Sequence, residues 1–109
     1  MQTILFRPQG NLDLKRSYRL KQIVDQLIYK TPNCYWIVDM ALVNKVNSFG
    51  LTTLIVVRKL AQKRGCRLYL LNLQDEIQLI FHLTGFDREF QILENEESLG
   101  PLKPKLLLC

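Results

Sequence analysis

The chain has 109 residues, 48% of them apolar and 23% charged, with fifteen Lys and Arg against ten Asp and Glu for a net charge of +5. That length suits one domain, which buries roughly two-thirds of its unfolded surface, so a packed core needs no metal or disulfide staple. Apolar runs such as Leu54 to Val57 and Leu68 to Leu71 fall far short of the ~20 residues that cross a bilayer, which excludes a transmembrane helix, and Met1 to Arg7 does not read as a signal peptide, so the expected location is the cytoplasm.

Thr3 to Arg7 is rich in β-formers and is broken by Pro8, Gly10 and Asn11, as for an edge strand running into a turn. Leu20, Ile23, Val24, Leu27 and Ile28 then repeat with helical spacing, and Pro32 stops that helix near Lys30. Tyr35 to Met40 is apolar on both faces except for Asp39, the pattern of a central strand. A connector from Ala41 to Asn47 leads into a second helix from about Leu51 to Arg64, apolar around most of its circumference, with Ser48 as its expected cap and cations near its negative end. Gly65 ends it and Arg67 to Leu71 is a further strand. A third helix opens over Asn72 to Asp75, buries a face containing Ile77, Ile80 and Phe81, and ends at Gly85. Phe90 to Leu93 is a short last strand. This alternation predicts an α/β layer fold around a largely parallel sheet.

Residues 1–93 read as the domain and residues 94–109 as a tail, acidic from Glu94 to Glu97, broken by Pro101 and Pro104, and closed by Leu106, Leu107, Leu108 and Cys109. Those leucines either dock on the body, pair with another chain or hang free. Cys34, Cys66 and Cys109 form an odd set without a Cys-x-x-Cys pair, and His82 is the single histidine, so neither a zinc site nor a disulfide framework is suggested and no cofactor is expected. Cys34 and Cys66 read as small core residues beside strands. A catalytic thiol needs a base, and His82 lacks a patterned carboxylate neighbour, so it reads as structural.

The informative constellation is Gly10-Asn11-Leu12-Asp13 before the first helix, Ile37-Val38-Asp39-Met40, and Val46-Asn47-Ser48-Phe49-Gly50-Leu51 into the second. Gly65 and Leu83-Thr84-Gly85-Phe86 follow. Their order and spacing, from about Leu5 to Leu93, resemble the STAS domain of bacterial anti-sigma factor antagonists. The resemblance implies a STAS-like single domain with a mostly parallel central sheet, an antiparallel edge strand, and three or four helices. It also implies a signalling role in transcription regulation, with an anti-sigma factor or kinase-like regulator as partner. In that family the turn into the second helix reads Asp-Ser-Ser-Gly-Leu, and its second serine is phosphorylated by the partner. A phosphate there meets free amides and a favourable helix dipole, and changes which surface can dock.

Aligned on Gly50-Leu51, that aspartate falls on Asn47, the first serine on Ser48 and the phosphorylated serine on Phe49, which has no hydroxyl. The usual phosphoacceptor is therefore missing, and Ser48 is the alternative hydroxyl. Phe49 either supplies an outward apolar anchor or turns inward and packs. The resemblance places a partner surface on Asn11, Asp13, Asn47, Ser48, Phe49, Gly50 and Thr52, while the plain role of Asp13 is to cap the first helix.

No paired carboxylates and no nucleophile with its base converge in the sequence, which reads as a non-enzyme. Arg58, Lys59, Lys63, Arg64 and Arg67, and separately Lys15, Arg16, Arg19 and Lys21, give general support to nucleic-acid binding. A solvated basic face explains the same residues, and no nucleic-acid motif accompanies them. No glycine-rich loop followed by Lys supports nucleotide binding either. A partner unrelated to sigma factors stays open, as does a homodimer.

Overall fold

Strands and helices alternate along the chain in the predicted order. The computed structural model describes residues 3–28, 33–95, 97 and 106–108. These form β1 (Thr3–Phe6), α1 (Leu14–Ile28), β2 (Tyr35–Asp39), α2 (Ser48–Lys63), β3 (Arg67–Leu71), α3 (Asp75–Thr84), a 3-10 turn (Phe86–Arg88), β4 (Gln91–Leu93) and β5 (Leu106–Leu108). The expected helix stop at Lys30 and Pro32 lies outside the described residues, as do the side chains of Leu27 and Ile28.

The strands lie in the order β4-β3-β2-β1-β5, with β2 at the centre as its two-sided apolar pattern predicts. All four pairings are parallel. This corrects the expectation of an antiparallel edge strand. A helix follows each of β1, β2 and β3 and returns the chain to its starting end, so the next strand runs parallel, whereas an antiparallel neighbour needs a tight hairpin. It also corrects the reading of Thr3 to Arg7 as an edge strand: β1 is flanked by β2 on one side and by β5 on the other. Of the alternatives for Leu106 to Leu108, the sheet takes docking on the body.

Period-two alternation sorts the strand residues onto two faces. Ile4, Phe6, Trp36, Val38, Leu68 and Leu70 join Leu20 and Val24 of α1, Leu54, Val57 and Ala61 of α2, and Ile77 and Phe81 of α3 in one buried cluster. The three helices thus share one side of the sheet, while Leu5, Ile37 and Leu71 form a smaller cluster on the other. Trp36 is wholly buried with its ring 5.4 Å from that of Phe6, so truncating it costs about 4 kcal/mol.

Asp39 closes the carboxyl end of β2 and is 1% exposed. Its charge is matched rather than stranded. Arg7 Nε donates to Oδ2 at 2.9 Å, and Ala41 N and Asn72 Nδ2 donate to Oδ1 at 3.0 and 3.2 Å. Asn72 reaches it from a left-handed φ of 58°, a conformation Asn tolerates better than most residues. The carboxylate therefore ties together the ends of β1, β2 and β3, from which the loops to the helices depart.

Candidate functional site

The segment after β1 and the connector after β2 run side by side. Gly10 N donates to Leu42 O and Leu12 N to Lys45 O, both at 2.8 Å, and Leu12 pairs with Val46 in a parallel bridge. Leu12, Val43 and Val46 are buried, so hydrogen bonds and apolar contacts both hold the two loops in register. Gly50, in the first turn of α2, lies directly beneath: a Cβ there would come within 2.4 Å of Leu12 O and 2.8 Å of Val46 Cγ1. Glycine is needed at this position for close approach. Being buried, it supports the surface rather than forming part of it.

Each helix entering from these loops carries a side-chain cap. Asp13 Oδ1 accepts from Arg16 N at 3.1 Å at the start of α1. At α2 the cap is Asn47, whose Oδ1 accepts from Gly50 N at 3.0 Å. The expectation that Ser48 caps a helix beginning near Leu51 is thereby corrected: α2 starts at Ser48, because Asn47 adopts the extended conformation a cap requires and satisfies the amide three residues on. Asn47 thus supplies the acceptor that a cap needs without a carboxylate charge.

With α2 starting at Ser48, Phe49 points outward and is 53% exposed, which settles its orientation against inward packing. It shares a shallow groove between α1 and α2 with Ser48, Thr52 and Thr53 on one wall and Leu14, Ser17 and Tyr18 on the other. Leu14 and Tyr18 are also exposed, making an apolar patch bordered by Lys21, which is paired with Asp25 at 3.0 Å. Ser17 is buried, and its hydroxyl has no hydrogen-bond partner among the described residues. Asn11 is exposed in the adjoining loop, with its carbonyl 3.4 Å from Arg16 Nη1. Sequence reasoning therefore located Asn11, Asp13, Asn47, Ser48, Phe49 and Thr52 at one end of the molecule but missed Leu14, Ser17 and Tyr18. For Leu14 and Tyr18 the available signal was an apolar pair spaced i, i+4 on the flank of the core stripe of α1; for Ser17 there was none.

The other sequence candidates lie elsewhere. His82, on the last turn of α3, is 78% exposed and has Asp87 Oδ2 at 3.3 Å from Nδ1, a carboxylate neighbour that the linear pattern did not reveal. Among the described residues no cysteine lines the cavity around it. Cys34 and Cys66 are buried immediately before β2 and β3. Among the basic residues, Arg16 pairs with Asp13 at 3.6 Å and Arg58 with Glu89 at 3.5 Å, so part of each cluster is locally balanced. Among the described residues no group of His, Cys, Asp and Glu could hold a metal ion, and no helix is long and apolar enough to cross a membrane.

Solved structures share this architecture. A candidate anti-sigma factor antagonist from Thermotoga maritima superposes with a TM-score of 0.79 at 18% identity, over 88% of this chain and 82% of that one. A sulfate transporter family protein from Wolinella succinogenes gives 0.78 at 21% identity over 88% and 80%. The anti-sigma factor antagonist SpoIIAA in its unphosphorylated form gives 0.69 at 15% identity over 89% and 84%. At such identities the likeness establishes the fold. The sequence itself matches the family model of the STAS domain over residues 2–99, a span that takes in the sheet from β1 to β4, all three helices and both capped loops, and the chain belongs to the STAS domain family.

Proposed function

We propose that the chain is a non-catalytic protein-interaction module of the anti-sigma factor antagonist kind, acting in the cytoplasm. Its docking face comprises Asn11, Asp13, Asn47, Ser48, Phe49 and Thr52, held up by Gly50. Its binding is not gated by phosphate at the usual position. The observation that carries this reading is Phe49, an aromatic ring exposed at a helix N-terminus beside Leu14 and Tyr18, where the family pattern has a hydroxyl. Large aromatic residues flanked by polar groups are the side chains that anchor interfaces. The partner is then a kinase-like regulator or anti-sigma factor, recognised by apolar contact.

The test is to mix the full chain with each kinase-like regulator of its own genome, with and without ATP. A complex of equal affinity in both conditions, with no phosphate incorporated, is the expected result. In the Phe49→Ser variant ATP should instead drive phosphate uptake and dissociation. Efficient phosphorylation of the unaltered chain, or failure to bind any such regulator, counts against the proposal. The likeness to the sulfate transporter family protein supports a second reading, in which the same face serves a regulatory partner unrelated to sigma factors. That reading gains if all kinase-like regulators fail to bind while Phe49→Asp still abolishes capture of a different partner.

A further inference from the structure

At the amino end of the sheet, opposite to the docking face, Cys34 and Cys66 stand directly across from each other. They precede β2 and β3, whose register pairs Tyr35 with Arg67, so the two cysteines are the next pair along adjacent parallel strands. Neighbouring strands lie about 4.8 Å apart, within the Cα separation that a disulfide spans. The side chains already meet: Sγ to Sγ is 3.3 Å, and Cys34 N donates to Cys66 Sγ at 3.4 Å. Forming the bond requires the sulfurs to close to about 2.05 Å, a movement of side chains rather than of strands. Trp36 Nε1 also reaches Cys34 Sγ, placing an indole beside the pair.

The pair is buried, at 2% and 3% exposure, but the two sulfurs are not equivalent. Cys66 lines an open cavity of about 480 Å³ and Cys34 does not. Arg58, Arg67 and Arg88 line that cavity with Gln62 and Glu89; Arg58 pairs with Glu89 at 3.5 Å, so among the described lining residues the excess is two positive charges. A cavity so lined favours a small molecule of net negative charge and holds it beside Cys66 rather than Cys34. None of these groups belongs to the proposed docking face.

We propose that Cys66 and Cys34 are a reactive dithiol that a small anionic disulfide of the glutathione type oxidises through this cavity. The Cys66 thiolate attacks one sulfur of oxidised glutathione, forming a mixed disulfide and expelling one glutathione thiolate. Deprotonated Cys34 then attacks Cys66 Sγ, forming the Cys34–Cys66 bond and expelling the second glutathione. Two protein thiols lose two protons and two electrons, and one glutathione disulfide is reduced to two thiols. The product staples the turn between α2 and β3 to the segment before β2, where Asn33 N already donates to Arg64 O at 3.0 Å.

The experiment uses the full chain carrying Cys109→Ser, treated with oxidised glutathione under native conditions and followed by intact mass, peptide mapping and melting. The expected product is lighter by two hydrogen atoms, contains a Cys34–Cys66 crosslink, and melts about 5 °C higher or more. In that background Cys34→Ser should stop at a mixed disulfide on Cys66, and Cys66→Ser should leave Cys34 unmodified. The Arg58→Gln, Arg88→Gln double variant should react about tenfold more slowly with oxidised glutathione, yet unchanged with uncharged hydroxyethyl disulfide. Reaction only after unfolding, or equal modification of the two cysteines in the single variants, overturns the proposal.

Discussion

The two ends of the sheet solve opposite problems. At the carboxyl end, loops leave β1 and β2 and must satisfy their backbone groups in the open, which they do by bonding to each other through Gly10, Leu12, Leu42 and Lys45. That lattice frees the side chains above it, and Phe49, Leu14 and Tyr18 project into solvent. At the amino end the chain approaches β2 and β3 through buried sulfur, with Cys34, Cys66 and Trp36 in contact. The lesson is that the proposed docking surface rests on backbone hydrogen bonds, whereas the core edge rests on volume, so substitutions at the two ends should separate binding from stability.

Outside the deep core around Trp36, the largest effect should come from Gly50→Ala, whose methyl meets a backbone carbonyl and cannot be relieved by a rotamer change. We expect a loss of about 3 kcal/mol in urea unfolding, together with loss of partner binding, because the loops beneath Phe49 must move. Asp39→Ala should follow at about 2 kcal/mol by the same measurement: it removes the acceptor for Arg7, Ala41 N and Asn72 at once, softened because Arg7 is partly exposed. Phe49→Asp should weaken the partner complex by about 2 kcal/mol, or some thirtyfold in Kd by titration calorimetry, while shifting unfolding by less than about 0.5 kcal/mol. Removal of the α2 cap in Asn47→Ala should lower stability by about 1 kcal/mol, whereas Asn47→Asp, which preserves the acceptor, should be near neutral. Cys66→Ala should cost a similar amount, about 1 kcal/mol in unfolding, and leave partner affinity unchanged. If Cys66→Ala alters binding, or Phe49→Asp unfolds the domain, the division between the two ends fails.

Much of this was legible in the linear chain. Helical spacing in α1 and α2, the two-sided apolar run of β2, and the stops at Gly65 and Gly85 all follow from local periodicity and backbone preference, and each recurs in the folded molecule. The resemblance of the Gly10 to Asp13 and Val46 to Leu51 segments to a family brought distant residues together before their geometry was known. Strand direction at β1 was not legible, because Thr3 to Phe6 carries the same side chains whether its neighbour runs parallel or antiparallel. The choice of Asn47 over Ser48 as cap was not legible either, since both residue types cap well and a one-residue shift of the helix start exchanges their roles.

What the sequence determined by itself was the alternation of elements, the buried faces and the absence of a hydroxyl at position 49, all properties of short windows of chain. The outward pose of Phe49, its meeting with Leu14 and Tyr18, the three hydrogen bonds to Asp39 and the contact of Cys34 with Cys66 were decided only in three dimensions. The last joins residues 32 apart in sequence. Such contacts depend on strand order and register, which are fixed when the sheet closes over a common core and not by any residue alone.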